Sequence, residues 1–250
     1  METEIKRKEK EEKQIQKITF HEILWYFIIF SVLGLIIEML FCYATTRVIE
    51  SRKGLVWGPF CPIYGIGATL LIVFLNRYQD NPVKLFLFGA LVGDIFEYIA
   101  SYVLETIYKT RFWDYTYCTY QLNGRISLEF TIFWGVLAIL LIKLIKPLID
   151  RIINKIPERN RKKIDICISA FLIVDIISSI WAIKIYRDRA ERIYYERENQ
   201  NANHKIEKMG EKLFSNEFMM KTFPNLRYMN EEGEECFIRD IMRGELVKEK

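Results

Sequence analysis

The stretch Leu55-Val56-Trp57-Gly58-Pro59-Phe60-Cys61-Pro62-Ile63-Tyr64-Gly65-Ile66-Gly67-Ala68-Thr69-Leu70-Leu71-Ile72-Val73-Phe74-Leu75 runs for 21 residues without a charge. A helix needs about 20 predominantly apolar residues to cross the hydrocarbon layer, so this segment reads as a membrane span. Its first half is poor helix material. Gly58, Pro59, Pro62, Gly65 and Gly67 fall within ten residues, and they combine missing backbone donors with excess backbone freedom. Backbone groups released in this way cannot be satisfied by lipid. The stretch therefore predicts a broken or re-entrant helix bordering a cavity, with Gly58, Pro59, Pro62, Tyr64 and Gly65 as its backbone segment.

Four further windows of similar length carry only two or three charges each. Together they predict an all-α, polytopic transmembrane bundle of about five spans, over residues 20–43, 56–75, 83–104, 126–145 and 164–183. Pro147 is expected to close the fourth. The transmembrane domain so defined covers 20–185, after a polar basic segment at 1–19 and before a charged, partly helical tail at 186–250. Arg187 with Glu191 and Arg192 with Glu196 stand four apart and predict that the last helix continues into water. The apolar stretch starting near Ile23 is too long for the core of a secretory signal and lacks a small-residue cleavage site, so it is expected to be retained.

Composition excludes several classes. A net charge of +4 with Lys and Arg mixed among Glu argues against a nucleic-acid partner. The five cysteines are scattered without a CxxC pair, which points to neither a zinc site nor a disulfide framework. No GxxxxGK[ST], GxSxG or HExxH motif is present. Metal and cofactor are therefore expected to be none, and His21 is expected to be a plain interfacial residue. Lys and Arg are concentrated at 1–19 and 143–163, which predicts an inside N-terminus.

Charged side chains near the bilayer centre cost about 2.5 to 3.5 kcal/mol each on insertion scales, yet this chain has several. Glu38 lies in the first span, Asp94, Glu97 and Glu105 in the third, Glu129 early in the fourth and Asp175 in the fifth. Asp94, Glu97, Tyr98, Ser101 and Glu105 share one helical face. Because spans alternate in direction, Glu38, Glu97, Glu105, Glu129 and the Gly/Pro segment are expected at one membrane face. The loop between spans three and four ends there too. Its Arg111, Phe112, Trp113, Asp114 and Tyr115, then Asn123, Gly124 and Arg125, would supply hydrogen bonds and counter-charge, with Arg125 neutralising a carboxylate. Asp175, beside Ser178 and Ser179, reads equally well as structural glue.

At these residues the sequence resembles a known group. Lys53 through Gly65, Glu97-Tyr98, Leu104-Glu105, Trp113-Asp114-Tyr115, Asn123-Gly124-Arg125 and Phe133-Trp134-Gly135 look like the bacterial "putative ABC-transporter permeases" of the CmpB type. Phe30-Ser31-Val32-Leu33-Gly34 with Glu38 matches the same pattern, over roughly residues 20–175. Phe223-Pro224-Asn225-Leu226 resembles the family's tail. Phe112 and Thr116 depart from it, standing where Trp and Ser are expected. The resemblance implies a multi-pass protein of the bacterial plasma membrane and a transport permease subunit of unknown substrate. Its partners would be membrane lipid, a separate ATPase subunit and a second copy of the chain. Two other readings remain open: a membrane enzyme using paired carboxylates on a lipid-linked substrate, and a structural or regulatory partner of another membrane protein.

Overall fold

The computed structural model describes residues 18–108, 113–195, 204–230 and 234–246. Arg111 and Phe112, part of the loop expected to serve the acidic site, and most of the basic N-terminal segment lie outside them. The described residues are mainly helical. In chain order the elements are α1 (Phe20–Thr46), α2 (Pro62–Leu75), α3 (Pro82–Tyr108), a short hairpin of β1 (Gln121–Leu122) and β2 (Ile126–Ser127), α4 (Leu128–Leu140), a π-helical turn (Leu141–Ile145), α5 (Lys146–Ile153) and α6 (Glu158–Tyr194). The C-terminal region adds α7 (His204–Leu213), α8 (Asn216–Thr222), a hairpin of β3 (Arg227–Met229) and β4 (Glu235–Phe237), and α9 (Ile238–Met242).

Among the described residues, three helices are long and apolar enough to cross a membrane: Phe20–Thr46, Leu128–Ile153 and Glu158–Tyr194. The two other expected spans, 56–75 and 83–104, are not among these three. α2 starts at Pro62, not near Val56, and its 14 residues rise about 21 Å, short of a hydrocarbon core of about 30 Å. Pro62 stands at the first helical position, where its missing N–H removes no internal bond. α3 has the length, 27 residues, but carries Asp94, Glu97 and Glu105.

The fourth helix also corrects an expectation. Pro147 does not close it, because the rod runs on from Leu128 to Ile153. A proline in mid-helix lacks a donor and crowds the carbonyl four residues back. Here the π-helical turn directly upstream widens the backbone, with Lys146 N–H bonding Leu141 C=O, and the helix continues past the ring.

The chain divides into two compact units, the first comprising Met1–Ser31, Ile63–Tyr102 and Trp113–Cys167, the second Val32–Pro62, Val103–Phe112 and Ile168–Lys250. In the first, Tyr26, Leu71, Ile72, Leu75, Leu85, Ala138, Leu141, Ile142, Ile149 and Ile153 form a buried core. Gly65 lets α2 approach α1 closely, since a Cβ there would stand 2.5 Å from the Phe27 carbonyl oxygen and 2.1 Å from Ser31 Oγ. In the second unit the tail packs on the last part of α6. Ala182, Ile183, Tyr186 and Ala190 share a buried cluster with Phe214, Met219, Phe223, Tyr228, Ile238 and Ile241. Arg189 bonds the Phe214 carbonyl and Asn216, and Arg239 pairs with Glu50 at 2.9 Å.

Candidate functional site

The polar face of α3 becomes a site through the hairpin that follows it. Asn123 and Gly124 both have positive φ, 53° and 66°, and Arg125 N–H bonds the Leu122 carbonyl at 3.0 Å. Asn-Gly suits such a primed turn because both residues tolerate the left-handed region. The reversal has two effects on neighbouring side chains. Asn123 Nδ2 donates to Tyr98 Oη at 3.0 Å, and Arg125 Nη1 donates to Ser101 Oγ at 2.9 Å. The Arg125 guanidinium also lies over the rings of Tyr98 and Tyr102, 5.8 and 5.6 Å from their centroids. Trp113 Nε1 donates to the Arg125 carbonyl at 3.1 Å, and Tyr115 N–H to that of Gly124 at 2.9 Å, which ties the incoming loop to the hairpin.

At the centre is Glu97, only 7% exposed. Its Oε1 accepts from Tyr115 Oη at 2.7 Å and its Oε2 from Trp134 Nε1 at 3.0 Å. Both donors are neutral. Tyr115 is buried and stacks on Phe130 with ring centroids 4.4 Å apart. Burial, then the bond to Glu97, raise its phenol well above the ordinary tyrosine range, so it stays a protonated donor. Trp134 reaches Glu97 because residue 93 is glycine: a Cβ there would lie 2.3 Å from Trp134 Cγ.

Asp94 lies one turn earlier. Thr131 Oγ1 stands 3.0 and 2.8 Å from its two oxygens and 3.0 Å from the Ser127 carbonyl. One hydroxyl proton can serve only one of these three acceptors. Among the described residues no cationic side chain is ion-paired with Asp94 or Glu97. Two carboxylates thus share a helix face, held by neutral groups whose protons do not fill every acceptor.

The structure brings together Asp94, Glu97, Tyr98, Trp113, Tyr115, Asn123 and Arg125 from the expected set. Asp114 is exposed and accepts from Thr116 N–H in its own loop at 3.0 Å, while Glu129 is exposed in the first turn of α4. Glu38 and Glu105, both half-buried, belong to the second unit with Gly58, Pro59 and Pro62. Thr131 and Trp134 were missing from the expected set. Both lie on the face of α4 that also carries Ser127, at spacings of four and three, so an amphipathic reading of that helix could have found them.

In the second unit, the non-helical stretch before α2 is anchored on α6. Asp175, fully buried, accepts from Trp57 N–H at 3.0 Å through Oδ1 and from Gly58 N–H at 3.1 Å through Oδ2. Ser179 Oγ accepts from Val56 N–H at 2.8 Å and donates to the Asp175 carbonyl at 2.7 Å. Three successive backbone donors that no helix satisfies are therefore met by two side chains. His21, expected to be a plain interfacial residue, has its Nδ1 2.8 Å from both Asp165 oxygens, and Trp25 Nε1 donates to the same carboxylate at 3.1 Å.

A family model described as "Putative ABC-transporter type IV" matches residues 25–180. No curated protein and no solved structure matches the chain. The family match covers more than half of the chain, which therefore belongs to that family.

Proposed function

We propose that this member of the family is a permease subunit that crosses the bacterial plasma membrane several times and works with a separate ATPase subunit. In this reading α2 and α3 also cross, giving five passes with the N-terminus inside. The short α2 is extended by the non-helical residues before it, and the carboxylates of α3 are tolerated because protein covers them. The path for the transported species runs by Asp94 and Glu97, with Tyr98, Tyr115, Asn123 and Arg125 around them.

The observation that carries the proposal is the bonding of Glu97. A buried carboxylate on a long helix is costly unless it is paired or hydrogen-bonded. Here its partners are a phenol and an indole, which leave its charge uncompensated. Such a group attracts a proton, a metal cation or a cationic solute, and releases it when the environment becomes wet. A carboxylate serving only to join helices would be expected to meet a cation or fixed backbone donors.

The test is isolation of the tagged full chain from its native membrane. An ATPase subunit should accompany it, and the isolated assembly should hydrolyse ATP. Recovery of the chain without an ATPase and without hydrolysis would remove the transport reading and favour a structural membrane partner.

A further inference from the structure

We propose that the turn between α5 and α6 is a binding site for an anionic phospholipid, which lays its phosphate on a basic platform and its acyl chain along the outer face of α5. This goes beyond the transport reading and needs only that these helices lie in a membrane.

The connection holds five exposed cations: Arg151, Lys155, Arg159, Lys162 and Lys163. Arg151 and Lys155 are four apart at the end of the rod. Arg159, Lys162 and Lys163, at spacings of three and four, share one face of α6. The turn between them is tight. Asn154 N–H bonds Asp150 C=O, Lys155 N–H bonds Ile152 C=O and Ile156 N–H bonds Ile153 C=O, while Arg161 Nε reaches back to the Ile156 carbonyl at 3.4 Å. The five cations are thus held close together at one end of two membrane-capable helices.

Such a run would be a solvated, self-neutralised surface if nearby acids served it. Residues 141–167 contain three acids, Asp150, Glu158 and Asp165. Two of them are turned to internal work. Asp150 accepts from Tyr26 Oη and pairs with Lys146 at 2.7 Å, and Asp165 is engaged by His21 and Trp25. That leaves Glu158 against five cations, none of which has an ion-pair partner among the described residues. Directly beside the platform, Leu144, Leu148 and Ile152 repeat every four residues and are 61%, 51% and 51% exposed. An apolar stripe ending in unpaired cations matches a ligand with an acyl chain and a negative headgroup. An acidic protein would use the cations but not the stripe.

The test uses the purified full chain in a neutral detergent, with unfolding followed by tryptophan fluorescence. Added phosphatidylglycerol should raise the unfolding midpoint by about 3 to 5 °C, and 0.5 M salt should largely abolish the gain. Phosphatidylcholine with the same acyl chains should give little change, as should soluble glycerol phosphate. The exposed triple variant R159Q/K162Q/K163Q should keep its lipid-free midpoint and lose most of the gain. If that variant proves less stable without lipid, R151Q/K155Q replaces it, with about half the loss expected. Equal shifts with the two lipids, or a full shift retained in the variant, would overturn the proposal. A shift with glycerol phosphate alone would assign a free-phosphate site instead, and a shift with polyglutamate but not with lipid would assign an acidic protein. None of these outcomes bears on the role of Glu97.

Discussion

Glu97 in α3 and Asp175 in α6 are both buried carboxylates on long helices, but they are held in opposite ways. Asp175 accepts from the backbone N–H groups of Trp57 and Gly58. Those donors have no other helix or strand partner, and they fix a segment that cannot itself be helical. Glu97 accepts from Tyr115 and Trp134, side chains that can turn away without unmaking any secondary structure. A carboxylate that holds backbone is scaffold, and one held by side chains is free to change its ligand. Position along a span does not separate the two; the identity of the donor does.

The largest expected effect breaks the scaffold side of this comparison. Asp175→Ala leaves the N–H groups of Trp57, part-buried, and Gly58, buried, without an acceptor, at up to about 1 to 3 kcal/mol each. We expect the variant to lose about 2 to 6 kcal/mol, seen as severe loss of accumulated protein and a lowered unfolding midpoint. Asp175→Asn keeps one acceptor oxygen and should fall between the two. Normal accumulation of the alanine variant would show that residues 56–58 do not depend on this anchor.

Gly93→Ala sharpens the other side. A methyl 2.3 Å from Trp134 Cγ must displace the indole, and overpacking of this kind costs about 1 to 3 kcal/mol. Because the indole carries the donor to Glu97, activity should fall with stability. Replacing Trp134 by Phe in the same background should recover stability but not activity, and recovery of both would remove the indole from the account.

Tyr115→Phe is smaller, about 1 kcal/mol for one hydrogen bond. It carries a pH signature. The Tyr115 phenol has its folded pKa raised by burial and by Glu97, so it favours the fold fully below the ordinary tyrosine pKa of about 10 and progressively loses that contribution above it. Denaturant titrations should show the difference in stability between wild type and variant shrinking as pH rises past about 10. A difference constant with pH would mean that the phenol does not meet the carboxylate.

The residues explain how far the sequence could be read. The apolar blocks announced the helices, but Pro62, read as one of five residues that break the second span, stands instead at the first helical position of α2. Asp94, Glu97, Tyr98 and Ser101 were legible as one face because helical periodicity is rigid. Their partners were harder. Trp134 and Thr131 come from a helix some 35 residues on, and nothing in the chain between specifies which turn of α4 meets which turn of α3. The Asn-Gly pair carried a turn signal, but where the turn aims Arg125 depends on the packing of Tyr98 and Tyr102. Pro147 misled because a π-helical turn, invisible in composition, absorbs it. Asp175 admitted a reading as glue among others, while the backbone it holds, over 110 residues earlier, was not readable from local pattern.

The central claim is that Glu97 serves function and not assembly, and its direct test is ATP hydrolysis by the assembly isolated with Glu97→Gln, compared at equal recovered amounts with wild type. Glutamine keeps the size and an acceptor oxygen, but removes the charge. The account predicts recovery and an unfolding midpoint close to wild type, with hydrolysis reduced about tenfold or more, a loss of about 1.4 kcal/mol or more in barrier terms. Unchanged hydrolysis per assembled complex, with only the recovered amount falling, would contradict it and make Glu97 a second scaffold like Asp175.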